Sequence, residues 1–252
     1  MSAVNATVPS GTRAGGLAVM AGMVLTLVAS LFFPGGPIID PVDQTDFPVA
    51  AAALAANPTL AHAMTLLVII GMLLYSYGFV ELWRLRGRGA GFGVSVLRFG
   101  IVASLFSWSV FIVGFGARHS AIYLMQQGLR AGEGTAMQAE FAGLAVSSHI
   151  TMMGLLLAFM VVNPIASVLV GLGLAARFSN LNLYMLAAYG LIAIGLGGFI
   201  NMVLALFLDN PDVVLHLAIS QLFLLVGSLC LFVIGAGMCL GRSELVAEDA
   251  AG

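Results

Sequence analysis

The most regular feature of this chain is the alternation of long apolar runs with short polar stretches. About twenty consecutive apolar residues span a bilayer as a helix, and six runs reach that length. They predict transmembrane helices at about Gly15–Phe33, Leu60–Trp83, Val94–Ala117, Phe141–Ala176, Leu183–Leu208 and Val213–Leu240. The pattern therefore predicts an all-α, polytopic membrane protein whose 252 residues form one integral membrane domain.

Two of the six runs carry a further expectation. The fourth is too long for one straight span, and it contains Asn163-Pro164. Since proline removes a helical hydrogen bond, we expect a kink or a division of the helix there. The first run is predicted to be an uncleaved helix rather than a signal peptide, because a long polar segment precedes it and no clear A-x-A cleavage site follows.

The composition agrees with a membrane protein and excludes several chemistries. Hydrophobic residues make up 61% of the chain and charged residues 8%, against about 25% charged in a soluble domain. All nine basic residues are arginine, so no lysine is available for a retinal or pyridoxal Schiff base or for a P-loop. The net charge of −2 and the absence of a dense basic run do not favour nucleic-acid binding. The expected partner is the lipid bilayer, with other membrane subunits left open, and the expected location is an inner cell membrane.

The positions of the arginines predict the orientation of the chain. With the N-terminus inside, seven arginines fall on the cytoplasmic side, and Arg118 and Arg130 fall outside. Positive charge concentrates in cytoplasmic loops, so both termini are predicted to be cytoplasmic. The proline-rich stretch Pro34–Pro48 then lies outside, as an ordered lid or a plain extracellular loop.

The four histidines all fall towards the predicted outer ends of helices. They are His62, His119, His149 and His216. One interfacial histidine is commonplace, because its ring keeps one end in water, but ionisable residues at membrane depth are costly and usually functional. Four histidines at one side of the membrane therefore predict a shared ligand site. Neutral imidazoles bind haem iron or copper, and Met153, one helical turn beyond His149, is a further candidate metal ligand.

The segment HITMMGLLLAF resembles the histidine-bearing helix of haem-copper oxidase subunit I and its short nitric-oxide-reductase-like relatives. His149, Met152, Met153 and Gly154 match that helix, whose histidine is an axial haem ligand near the outer face. The resemblance implies a b-type haem at His149, with His62 or His216 as the opposite axial ligand. It covers about a dozen of the 252 residues. The chain has no adjacent His-His pair for a copper centre and no tyrosine at the spacing of the oxidase cross-link.

Polar residues inside other spans keep two further functions open. Asn163, Asn201 and Gln221 are expected to face neighbouring helices, because lipid offers them no partner. An Asn201–Gln221 hydrogen bond is the simplest pairing, and a small-solute transport pathway is the alternative. A non-catalytic accessory subunit, which needs no cofactor, is the third interpretation. The leading prediction is a membrane-embedded haem b or copper protein of a redox or respiratory type.

Overall fold

The computed structural model describes residues 10–85, 91–209 and 212–246. These residues form seven α-helices and one 3-10 turn at Ser243–Leu245, with no β-strand among them. The helices are α1 (Ser10–Leu31), α2 (Phe47–Ala56), α3 (Pro58–Trp83), α4 (Phe92–Arg130), α5 (Ala136–Ala175), α6 (Leu183–Phe207) and α7 (Val213–Cys239). All except α2 are long and apolar enough to cross a membrane. The prediction of an all-α, multi-pass membrane protein is therefore confirmed.

Short polar side chains fix where several helices begin. Asp46 accepts a hydrogen bond from the N–H of Val49 at the start of α2, and Asn57 does the same for Leu60 at the start of α3. Asn182 and Asp212 cap α6 and α7 in the same way. Asn182 accepts from two of the backbone donors that a first helical turn leaves free, and each of the other caps accepts from one.

Two helices are longer than the apolar pattern predicts. Helix α4 continues past Ala117 to Arg130, and α5 begins at Ala136 rather than Phe141. A charged residue ends an apolar run, but it does not interrupt the backbone hydrogen bonds of a helix. The apolar run therefore predicts the membrane-spanning part of a helix and not its full length. At about 1.5 Å per residue each helix is roughly 60 Å long, about twice the hydrocarbon core of a bilayer.

Helix α5 is not divided at Pro164. The helix runs unbroken from Ala136 to Ala175 with Pro164 inside it. Ser167 donates a hydrogen bond to the carbonyl oxygen of Asn163 at 2.9 Å, beside the point where proline supplies no N–H. The carbonyl that loses its usual N–H donor is that of Met160, four residues before the proline, and the helix continues past this missing bond.

The contacts within the chain divide it into two compact units. Unit 1 comprises Met1–Met23, Leu73–Leu105 and Val161–Gly252, and unit 2 comprises Val24–Met72 and Phe106–Met160. Helices α1, α3, α4 and α5 contribute residues to both units, whereas α2 belongs to unit 2 and α6 and α7 belong to unit 1.

Unit 1 is packed through glycines that bring helix backbones close together. A Cβ atom at Gly16 of α1 would lie 2.5 Å from the carbonyl oxygen of Gly235 on α7, and one at Gly171 of α5 would lie 2.6 Å from that of Ala188 on α6. Only glycine tolerates such approaches, so these positions are determined by close helix packing, as small residues at membrane helix interfaces usually are.

Unit 2 holds α2 against the helices that carry three of the histidines. Leu54 of α2, Ala61 of α3 and Ile122 of α4 form a buried cluster, and Phe33 packs against it. Helices α4 and α5 are joined side by side by a hydrogen bond that Ser148 donates to the carbonyl oxygen of Ala117 at 2.8 Å. The short helix α2 was not predicted. Its alanine-rich sequence is too short to span a membrane. The sequence signal for this helix is the N-cap Asp46 followed by Pro48 in the first turn.

Candidate functional site

His62 and His119 meet directly in unit 2. Their Nδ1 atoms lie 2.7 Å apart, and their rings stack at 22° with centroids 5.0 Å apart. At this distance a proton must lie between the two nitrogens, with one ring as donor and the other as acceptor. Both histidines are half-buried. With Ser120, Tyr123 and Leu124 they line a cavity of about 500 Å³ that is open to the surroundings and not enclosed.

The geometry of this pair distinguishes between the two predicted cofactors. With metal–imidazole bonds of about 2.0–2.1 Å, the nitrogens of two ligands lie about 2.9 Å apart at a right angle and about 3.3 Å apart at a tetrahedral angle. His62 and His119 would need to separate by a few tenths of an ångström to reach the first arrangement. Opposite axial ligands of a haem lie about 4 Å apart, with the macrocycle between them. The spacing is therefore closer to that of adjacent positions on one metal ion than to that of two opposite haem ligands. Among the described residues, no group of three or more His, Cys, Asp or Glu side chains is placed to hold a metal ion.

His149 is in unit 2 but has no hydrogen-bond partner among the described residues. Its side chain is 1% exposed, and both ring nitrogens are buried and unpaired. The ring of Phe47 lies nearby, with centroids 6.1 Å apart. Met153, one turn along α5, is half-buried. A buried polar atom without a partner requires an explanation, such as an ion or a ligand. The free nitrogens are compatible with axial ligation of haem iron, although His149 does not line the cavity beside His62 and His119.

Arg118 is a site residue that was not predicted. From the sequence it is expected in an outer loop, but it lies within α4 and is 4% exposed. Its guanidinium carbon lies 4.1 Å from the ring centre of Phe33 and 5.6 Å from that of Phe115. Nε and Nη2 have no hydrogen-bond partner in the described chain. The charge is close enough to act on both His119 and His149. The apolar segment AIYLM that follows His119 is the signal that the helix continues and carries Arg118 inside it.

The loop between α1 and α2 is ordered by its own hydrogen bonds. Gln44 donates to the carbonyl oxygen of Gly35 at 2.7 Å, and the N–H and hydroxyl of Thr45 both donate to Asp43. Both hydrogen bonds lower the pKa of the Asp43 carboxyl, the one from the Thr45 hydroxyl more than the one from the Thr45 N–H. Phe33 precedes this loop and Phe47 follows it, so its two ends carry the rings that lie against Arg118 and His149.

The fourth histidine, His216, belongs to unit 1, and Asn201 is hydrogen-bonded both to its backbone and to its ring. The side-chain amide of Asn201 donates to the carbonyl oxygen of His216 and to the hydroxyl of Ser220, both at 2.9 Å. The amide oxygen of Asn201 is then left to accept a hydrogen bond from Nδ1 of His216 at 2.8 Å. This network assigns the ring proton to Nδ1, so Nε2 of the neutral ring carries a lone pair.

The same network corrects the expected partner of Asn201. The residue does face a neighbouring helix, but it bonds to His216 and Ser220. Gln221 is exposed on α7. Neighbouring positions on a helix differ by about 100° in direction, so Ser220 and Gln221 cannot both face α6.

Comparisons with known proteins do not identify the chain. No protein-family model, no curated protein and no solved structure matches it. The resemblance of HITMMGLLLAF to an oxidase haem helix therefore stays a prediction from the sequence.

Proposed function

We propose that the protein is a membrane-embedded metal-binding protein of a redox type, in which His62 and His119 hold a copper ion. The observation that carries this proposal is the 2.7 Å distance between two Nδ1 atoms at a cavity of about 500 Å³. Imidazole nitrogens are suitable copper ligands. Copper bound there would supply one-electron chemistry.

The chain's own residues would prepare and limit this site. The proton between the two Nδ1 atoms must leave before both can bind a metal, either to Nε2 of its own ring or to solvent. The hydroxyl-bearing residues Ser120 and Tyr123 line the cavity, where their side chains can bind water or a small ligand beside the ion. Two protein ligands leave further coordination positions open to such a molecule.

Arg118 opposes a cation at this site. Its charge acts on His119, and like charges repel strongly where water is excluded. Copper binding at His62 and His119 is therefore favoured if Arg118 is neutralised by an anion.

Haem b at His149 is the second candidate for the cofactor. The free ring nitrogens of His149 favour it. Within the same unit, a ring nitrogen of His62 would supply the second ligand.

A non-catalytic accessory subunit is the third candidate, and Gln221 favours it. This polar side chain is exposed on the apolar helix α7, where a partner helix of another subunit would satisfy it. The proposed location of the protein is an inner cell membrane.

Metal binding by the purified protein tests the copper proposal. We expect one copper ion per chain by metal analysis. His62→Ala and His119→Ala should each weaken binding by at least the roughly 10- to 100-fold that loss of a supporting group causes. His216→Ala is the matched control and should bind copper as the native chain does.

Two results would reject the copper site. One is a native chain that takes up no copper, and the other is equal binding by the native chain and both variants. With haem supplied, a Soret band that His149→Ala abolishes would establish the haem candidate instead. A chain that binds neither cofactor would leave the accessory-subunit interpretation in the lead.

A further inference from the structure

Unit 2 contains two buried ionisable side chains whose nitrogen atoms lack hydrogen-bond partners in the described chain. They are the guanidinium of Arg118 and the imidazole of His149, which are 4% and 1% exposed. Four of their nitrogen atoms lack a partner in the described chain: Nε and Nη2 of Arg118, and Nδ1 and Nε2 of His149. Leaving a buried donor unpaired is expensive, and more so for a charged group. The two groups also interact electrostatically with each other.

The unpaired atoms of Arg118 point to a particular kind of ligand. The N–H of Nε and one N–H of Nη2 are parallel and form one edge of the guanidinium plane. This edge matches two oxygen atoms of a carboxylate or a phosphate, which it binds with two parallel hydrogen bonds. The rings of Phe33 and Phe115 attract the cation, but they supply no oxygen atom to this edge.

The described residues provide no carboxylate for Arg118. The two ion pairs within them are Arg84–Glu81 and Arg242–Glu244, and both belong to unit 1. An arginine inside a membrane helix normally faces a partner or marks a ligand pathway. A bound anion would supply the negative charge that the described residues do not provide.

We infer that Arg118 and His149 form a binding site for an oxyanion, namely the carboxylate or phosphate group of a small molecule or of a lipid headgroup. The edge of Arg118 binds two oxygens of this group, and the ring of His149 binds the ligand through one of its free nitrogens. The loop Pro34–Asp46 is the cover of this site, because Phe33 and Phe47 at its ends lie against the two groups. The site stands on these residues alone and needs no copper.

The response of thermal unfolding to added anions tests this site in metal-free protein. The native chain in a neutral detergent should show a saturable rise in Tm with phosphate or succinate, because a ligand that binds the folded state stabilises it. Chloride at matched ionic strength should give no such rise. A parallel series in bilayer discs compares phosphatidylglycerol with phosphatidylcholine, and so distinguishes a lipid phosphate from a soluble anion.

Variants on one helix identify the residue responsible. Arg118→Gln should weaken the apparent affinity for the active anion by at least about tenfold, as expected for loss of hydrogen bonds to a charged group. Arg98→Gln is the matched control, since Arg98 is an exposed arginine of the same helix. If Arg118→Gln does not fold, Arg118→Lys serves instead, because it keeps the charge but loses the two-pronged edge.

Each result either supports or overturns the inference. A response to phosphate, succinate or phosphatidylglycerol that Arg98→Gln keeps and the Arg118 variant loses supports it. The inference is overturned if none of these anions raises the Tm, or if both variants respond as the native chain does. It is also overturned if both lose the response. Since copper is absent throughout, these outcomes do not depend on the metal proposal.

Discussion

Unit 1 and unit 2 each contain a polar group with a histidine, and the two groups differ in burial and in how completely their atoms are paired. In unit 1 Asn201 is buried and His216 and Ser220 are half-buried, whereas Arg118 and His149 in unit 2 are both buried. In unit 1, Asn201 uses its donor and acceptor atoms on His216 and Ser220. In unit 2, Arg118 and His149 together leave four buried nitrogen atoms without a partner in the described chain. A closed network of this kind stabilises helix packing, whereas unpaired atoms at membrane depth are typical of a site that takes a ligand.

The strongest test of the contrast is to remove the central residue of the closed network. Asn201→Ala takes away the partner of Nδ1 of His216 and of the Ser220 hydroxyl. We expect a loss of about 1–3 kcal/mol in the free energy of unfolding, because three hydrogen bonds, each worth about 0.5–1.5 kcal/mol, are removed. Chemical denaturation in mixed micelles measures it. The control is Gln221→Ala, which alters an exposed side chain and should change stability by less than about 0.5 kcal/mol.

Replacement of Arg118 should raise the free energy of unfolding of the ligand-free protein, whereas Asn201→Ala lowers it. Arg118→Met keeps much of the side-chain length and removes an unpaired buried charge, so we expect a gain of about 1–2 kcal/mol, within the range seen when buried ions are replaced by apolar residues. The same denaturation experiment measures it. A loss of stability comparable to that of Asn201→Ala would mean that Arg118 is a structural partner like Asn201, and the contrast between the units would fail.

The sequence predicts the six spans well because hydropathy reports directly on burial in lipid. It does not predict α2, which is too short for the span criterion, or the continuation of α4 past Arg118, where a charge interrupts the apolar run. For the site, the sequence identifies the four histidines as candidate ligands, but it does not predict the contact between His62 and His119. Arg118 was missed because a charge beside a span is usually assigned to a loop.

The pairing itself has a signal in the sequence. His62 and His119 are equally far from the position between residues 90 and 91, and so are Trp83 and Arg98, which also contact each other. Two antiparallel helices with equal rise bring together residues that are equidistant from their turn. Reflection about the arginine- and glycine-rich segment between α3 and α4 therefore predicts these partners. Whether their side chains point towards each other depends on helix rotation, which hydropathy alone does not determine.

Helix α5 allows the packing of the two units to be compared with the same substitution. A Cβ atom at Gly171 in unit 1 would lie 2.6 Å from the carbonyl oxygen of Ala188, whereas one at Gly154 in unit 2 meets nothing within 4 Å. We expect Gly171→Ala to destabilise the protein by about 1–3 kcal/mol through overpacking. Gly154→Ala should be neutral or stabilise by up to about 1 kcal/mol, since alanine favours a helix over glycine. Equal effects at the two positions would contradict the difference in packing.

The predicted orientation can be tested by the accessibility of single cysteines. After replacement of Cys230 and Cys239, single cysteines are introduced at Asp43 in the loop before α2 and at Ser179 between α5 and α6. The arginine distribution predicts that an impermeant thiol reagent labels the first and not the second in intact cells. The reverse labelling pattern would invert the predicted topology and place the loop of unit 2 on the cytoplasmic side.

The self-bonded loop between α1 and α2 has a kinetic consequence. Its hydrogen bond from Gln44 to Gly35 ties together positions near its two ends, so the segment would move as one piece. Since Phe33 and Phe47 flank it, one opening event would expose both Arg118 and His149. Ligand entry would then wait for that event, and the observed association rate would level off with rising ligand concentration at the rate of loop opening.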